Sequence, residues 1–115
     1  KIRKQIAIPS TRREVSSAFY QLKLGHCYLR SFLFNRGKVD SKVCPCNYRA
    51  TQDVRHILLS CALYREAREK MQETSKDPLS LNFLLETSIG IQVTIRFIEE
   101  TKAGTQAWYK GDTEN

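Results

Sequence analysis

The sequence contains no apolar run near the ~18 residues that a membrane-spanning helix needs. Its first residues do not combine a basic segment, an apolar stretch and a small-residue cleavage site, which together would mark a secretory signal. Internal repeats and low-complexity tracts are also missing. The chain begins at Lys1 rather than Met, so we expect it to be excised from a longer polypeptide. The sequence therefore does not decide whether a targeting signal precedes it.

The length of 115 residues corresponds to one domain, and a hydrophobic content of 41% favours folding over disorder. A chain of this size builds only a modest core, so a bound metal ion would add useful stability. We expect a basic linker over 1–10, a folded domain over 11–105 and an unstructured tail over 106–115.

The net charge of +7 is unevenly distributed. Residues 1–49 hold eleven Lys and Arg against two acidic residues, a net charge of +9, whereas residues 50–115 have a net charge of −2. A basic block of this kind suits a polyanion, most commonly nucleic acid. The alternative is a basic surface that serves only solubility.

Four cysteines permit a secreted disulfide framework, which is one alternative for this chain. Cys44 and Cys46 are too close in sequence to pair comfortably with each other, and His56, which lies between Cys46 and Cys61, adds nothing to a disulfide scheme. Metal binding in a reducing compartment fits this pattern better.

The pattern C-x-C-x9-H-x4-C supplies three thiolates and one imidazole, a full tetrahedral set for one structural Zn²⁺: Cys44, Cys46, His56 and Cys61. Four protein ligands would leave no open position for catalysis. His56 and Cys61 lie about 140° apart on an ideal helix, so a helix that carries both must deform or end between them. The alternative is three ordinary buried cysteines and a core histidine.

Periodicity and capping signals predict a mostly α-helical domain of about five helices, with the zinc-tied loop between helices 2 and 3. The first begins at a capping box of Thr11 and Glu14 and stops at Gly25. The second covers about 28–36, and helical character resumes near Asp53 and recovers after Cys61.

Two further helices are predicted near the C-terminus. Asp77 and Pro78 are typical of an N-cap and first turn, which would start a short helix that buries Leu81, Leu84 and Leu85. The last covers about 88–101 and carries isoleucines at 91, 95 and 98. Its β-branched residues 93–95 leave a strand as the alternative.

Exposed aromatic rings among cations can stack on unpaired bases. We therefore expect contacts near the metal loop from Tyr48, Arg49 and Arg55, and we assign Phe34, like Phe19 and Phe32, to the core. The full set of candidate nucleic-acid-binding residues is Arg12, Arg13, Lys23, Arg30, Arg36, Lys38, Lys42, Tyr48, Arg49 and Arg55.

Catalytic patterns are weak in this sequence. Adjacent His26 and Cys27 seldom orient a thiolate and its base together, and no third group is evident, so a cap or core role is expected for them. The carboxylates show no active-site spacing. We therefore expect no enzyme activity and no small-molecule substrate.

An ordered series of boxes resembles the C-terminal zinc-binding segment of non-LTR retrotransposon polyproteins of the fungal and insect type. It comprises QLKLGH at 21–26, GKVDS at 37–41, Cys44 and Cys46, VRHILLSC at 54–61, then Tyr64 and Arg65, with RFIEET at 96–101 similar to the family's last helix. Lys23 and Leu24 replace the usual Arg and Thr, and the loop between Cys46 and His56 lacks the glycine that often follows the second cysteine.

The resemblance implies a non-catalytic, zinc-stabilised module that contacts template RNA or target DNA. It implies upstream reverse transcriptase and RNase H regions as partners and an intracellular, nuclear or nucleocytoplasmic location. The chain itself has no Y-x-D-D polymerase box. The alternative function is a protein-interaction module that docks on the upstream catalytic domains or on a host protein.

Overall fold

The computed structural model describes residues 13–25, 27–46 and 49–105, and it is mostly α-helical. The described helices are α1 (Arg13–Leu24), α2 (Arg30–Asn35), α3 (Val54–Leu59), α4 (Arg65–Gln72), α5 (Leu81–Glu86) and α6 (Ser88–Thr101), with a 3₁₀ turn over Ala62–Tyr64. The expected linker over 1–10, the tail over 106–115 and the Thr11 cap lie outside the described residues. Each helix in the described part of the chain is too short or too polar to cross a bilayer.

Helix α6 is the centre of the fold and packs against α1, α4 and α5. Its buried side includes Ile91, Ile95 and Ile98, the three isoleucines that predicted the helix. They meet the apolar face of α1, where Phe19 and Leu22 are also buried. Residues 88–101 therefore form a helix and not the alternative strand, because helical spacing places one continuous apolar face on the core.

Helices α5 and α6 approach each other closely at Gly90. A Cβ atom added to Gly90 would lie 1.6 Å from the Phe83 carbonyl oxygen and 2.8 Å from Thr87 Oγ1. The Thr87 hydroxyl caps α6 by accepting from the Gly90 N–H at 3.0 Å and donates to the Phe83 carbonyl oxygen at 2.7 Å. Only glycine fits between these two backbones.

Two predictions about individual residues are wrong. Helix α5 begins at Leu81 with Ser80 as its N-cap, which accepts from the Phe83 N–H at 3.1 Å, so Asp77 and Pro78 precede the helix by a full turn. Phe34 is 41% exposed rather than in the core. It lies in the last turn of α2, a short helix in which Leu33 is the one buried residue.

Candidate metal centre

Cys44 and Cys46 lie in a tight turn that is closed by one antiparallel backbone pairing. Val43 and Thr51 form the bridge, and the backbone N–H groups of Cys44 and Gln52 donate to the carbonyls of Ala50 and Lys42, each at 2.8 Å. Arg49 adopts the left-handed region at φ +54°. This turn lies in the loop predicted between helices 2 and 3, and it bends the chain so that both thiols join the same cluster.

The structure brings the four predicted ligands together. Cys44, Cys46, His56 and Cys61 are all buried, and their ligand atoms lie within 4.8 Å of one another. The Sγ atoms of Cys44 and Cys61 are 3.7 Å apart, and Cys46 Sγ lies 3.3 Å from His56 Nε2. Ideal tetrahedral zinc gives edges of about 3.8 Å between two sulfurs and about 3.5 Å between sulfur and nitrogen. The set is therefore compatible with a metal site.

The helix ends between His56 and Cys61, as the angular argument requires. Asp53 caps α3 by accepting from the His56 N–H at 2.8 Å, and α3 ends at Leu59. The N–H groups of Ser60 and Cys61 both donate to the His56 carbonyl, at 2.9 and 2.7 Å. Cys61 then takes an extended conformation before the 3₁₀ turn, which rotates its thiol towards the imidazole.

Burial makes the cluster unfavourable for charged thiolates unless a cation is present. It raises the pKa of Cys61 to about 12, and the hydrogen bond between the Cys61 and Cys44 thiols and the nearby charges of Cys44 and Cys46 act in the same direction. Burial also lowers the pKa of His56, which keeps the imidazole neutral and available as a ligand. A bound dication reverses the preference of the thiols by stabilising their anionic form.

The cluster is joined to the helical core through α3 and Tyr64. Ile57 and Leu58, which lie between His56 and Cys61 in the sequence, are fully buried in that core. Tyr64 packs against both the cysteine cluster and the core, and its ring meets Phe97 of α6 edge to face at 6.0 Å. Tyr64 therefore connects the cysteine cluster to the central helix α6 by packing contacts.

Gln52 is a buried polar residue that the sequence reasoning missed. Its side-chain oxygen accepts from the Arg30 N–H at 2.9 Å, its carbonyl accepts from the Ser31 N–H at 3.0 Å, and its Nε2 donates to Cys44 Sγ at 3.6 Å. These bonds satisfy the first turn of α2, whose own N-cap residue, Leu29, makes no side-chain cap. Gln52 thus links the start of α2 to the Cys44 sulfur by hydrogen bonds.

We expect Gln52→Glu to weaken metal binding by about 10- to 100-fold. The carboxylate keeps an acceptor for the Arg30 N–H, but it replaces the amide donor to Cys44 Sγ with a negative charge beside the thiolates. Competition with a chromophoric chelator measures the change. Gln92→Glu, the same substitution on the exposed side of α6, is the matched control, and equal affinities for the two variants would rule out this role of Gln52.

Arg68 is the second residue that the sequence reasoning missed. It lies on α4. Its Nε donates to the Leu58 carbonyl oxygen at 3.3 Å, and its Nη2 donates to the Cys61 carbonyl oxygen. Burial lowers the pKa of Arg68, while the charge of Cys61 raises it. With a bound dication, three thiolates would leave a net charge of −1, which this cation would partly offset. It lies seven residues after Cys61, a spacing that carries no recognised ligand signal.

The candidate nucleic-acid contacts fall into separate groups. Arg30, Arg36, Lys38, Lys42 and Arg49 belong to α2 and the turn that follows it, and Arg55 is exposed on α3 beside the ligand His56. Arg13 is exposed at the start of α1. Lys23 Nζ lies 3.7 Å from Glu86 Oε1, so an acid of the C-terminal half pairs with it. Arg12 and Tyr48 lie outside the described residues.

Cys27 belongs to the helical core and not to the cysteine cluster. It is buried, and burial raises the pKa of its thiol. Its Sγ approaches the Gly25 carbonyl oxygen at 3.8 Å. The expectation that Cys27 packs rather than ligates is confirmed, whereas its neighbour His26 lies outside the described residues.

No protein-family model matches the chain, and no match was found among curated proteins or among solved structures.

Proposed function

We propose that this chain is a zinc-stabilised, non-catalytic nucleic-acid-binding module of a non-LTR retrotransposon reverse transcriptase, which contacts template RNA or target DNA. The observation that carries the proposal is that α2 and the following turn, which hold five basic residues, belong to the same chain segment as Cys44 and Cys46 of the Cys3His cluster. Polymerase and nuclease chemistry would then belong to upstream regions of the polyprotein, in a nuclear or nucleocytoplasmic setting.

Zinc is the metal that best suits this donor set. Three thiolates and one imidazole are soft to borderline ligands, which disfavour Mg²⁺ and Ca²⁺, and the near-tetrahedral edges fit the geometry of structural zinc. Four protein donors complete the shell, so the ion stabilises the fold and offers no site for substrate.

The charge around the cluster suits a phosphate backbone. Between residues 28 and 52, five basic residues accompany one acid, Asp40. The salt bridges within the described residues lie elsewhere and join Lys23 to Glu86, Lys70 to Glu100 and Lys102 to Glu14. Cations that are not committed to internal ion pairs can release counterions from nucleic acid.

We expect the triple variant Lys38→Gln, Lys42→Gln and Arg49→Gln to weaken binding to single-stranded RNA and DNA. The slope of log K against log salt concentration is expected to fall by about 2, because each phosphate contact on a single strand contributes about 0.7. Fluorescence anisotropy across a salt series measures both quantities.

A matched triple variant removes the same charge from the C-terminal half: Arg65→Gln, Lys76→Gln and Arg96→Gln, all at exposed positions. It is expected to keep a slope close to that of the wild-type protein. Wild-type binding that is absent at low salt, or that does not depend on salt, would disprove the proposed function.

A protein-interaction module is the second candidate, favoured by Leu63 in the 3₁₀ turn, whose side chain is 56% exposed. Leu63 lies beside a surface groove that Glu100 and Thr101 of α6 also line. This function would show itself as a rise in the melting temperature of the module when it is fused to the upstream domains, with no binding of nucleic acid.

A further inference from the structure

Phe34 is an exposed ring on a basic surface. Among the described residues, the exposed large hydrophobic side chains are Leu24, Phe34, Val43, Leu63 and Ile89, of which only Phe34 is aromatic. An exposed aromatic ring can stack on an unpaired base. The location of Phe34 on α2, among the cations of the proposed interface, suits this role.

Two cations accompany the two phenylalanines of α2. Lys42 Nζ lies 6.0 Å from the centroid of the Phe34 ring, and Arg36 Cζ lies 5.7 Å from that of Phe32. Both distances are within the range of cation–π attraction. Phe32 packs partly against the core, whereas Phe34 stays exposed. Phe34 thus presents an exposed ring with the Lys42 ammonium over it.

Helix α2, which carries the Phe34 ring, is held in place by the turn that contains Cys44 and Cys46. Arg30 Nη1 donates to the Ser41 carbonyl at 2.9 Å, and Gln52 holds the Arg30 and Ser31 N–H groups at the start of the same helix. Helix α2 is therefore fastened to both the entering and the returning segment of the turn. Little ordering of the protein is then needed when a ligand stacks on the ring, which favours binding.

We propose that Phe34 is a stacking platform for an unpaired base, with Lys42 placed to meet a phosphate of the same strand, so that the module prefers single-stranded nucleic acid over a duplex. This inference rests on the proposed function. In a duplex the faces of the bases are covered by their neighbours, whereas in a single strand they are open to a side-chain ring. The surrounding cations bind the backbone of either form.

The test compares the metal-loaded full chain with its variants on a labelled single strand and a hairpin duplex of mixed sequence. Phe34→Leu keeps apolar bulk and removes the ring, so it is expected to weaken single-strand binding by about 5- to 150-fold, the equivalent of one base stack. Duplex binding is expected to stay unchanged. Phe34→Tyr keeps the ring and is expected to bind as the wild-type protein does.

Two controls separate stacking from other causes. Ile89→Ala removes a different exposed apolar side chain and is expected to leave both affinities unchanged. The wild-type protein itself is expected to bind an abasic strand of equal length more weakly than the normal strand, by a factor similar to that of Phe34→Leu. The abasic measurement does not depend on the folding of any variant.

The outcomes distinguish the two proposals. Equal single-strand affinity for the wild type and Phe34→Leu, with salt-dependent binding intact, would overturn the platform and leave the proposed function standing. An equal loss on single strand and duplex would also overturn stacking. A wild-type protein that binds neither form at low salt would remove both proposals together.

Discussion

Replacing Cys61 with alanine is expected to abolish metal binding and, with it, the folded state. Structural zinc contributes about 10–16 kcal/mol in small zinc-binding peptides, which is comparable with the whole stability of about 5–15 kcal/mol of a small domain. Cys61 is fully buried, and its backbone carbonyl is the acceptor for Arg68 of α4. Loss of this ligand therefore affects the junction between α3 and α4 as well as the cluster.

Cys27→Ala is the matched control, because it truncates a buried cysteine that packs in the helical core outside the cluster. We expect it to keep full metal content and to cost about 1 kcal/mol, the usual size of a single truncation. Thermal unfolding followed by circular dichroism, together with metal analysis of each variant, measures the difference. A cooperative transition in Cys61→Ala that matches the wild type would show that the metal does not maintain the fold.

Gly90→Ala is expected to destabilise the domain by about 3 kcal/mol, the upper part of the range for overpacking. Alanine is the better helix former by about 1 kcal/mol, but the added Cβ would lie 1.6 Å from the Phe83 carbonyl oxygen. That neighbour is backbone, so α5 and α6 must separate. The Thr94 hydroxyl, 2.9 Å from the Leu84 carbonyl oxygen, would lose this contact as the helices move.

Chemical denaturation of Gly90→Ala and of a control on the same helix measures this effect. Gln92→Ala changes an exposed position two residues later and is expected to stay within about 0.5 kcal/mol of the wild type. If Gly90→Ala instead raised stability, helix propensity would outweigh the contact, and the close approach of α5 and α6 would be incorrect.

The features that the sequence predicted correctly depend on periodic or local chemistry. The ends of α6 at Ser88 and Thr101 agree with its apolar spacing, and Gly25 stops α1 at φ +83°. The break between His56 and Cys61 follows from helix geometry once both are assigned to one ion. The proximity of the four ligand side chains was predicted from residue type and spacing.

The features that it missed depend on contacts between distant segments. Gln52 reaches Arg30 across 22 positions, and a lone glutamine gives no sign of burial in the sequence. Phe34 was assigned to the core because aromatic residues are usually buried, but α2 is short and buries little of its circumference. Asp77 and Pro78 satisfied a capping rule, yet Ser80 lies closer to the buried leucines and takes that role.

Native mass spectrometry of the wild-type chain, purified without added metal, is the most direct test of the zinc-stabilised module. We predict one Zn²⁺ per chain, and we expect removal of that ion by a chelator to abolish both the cooperative unfolding transition and the salt-dependent binding of single strands. A metal-free chain that still folds and binds would contradict this prediction, and would reduce Cys44, Cys46, His56 and Cys61 to buried side chains without a metal.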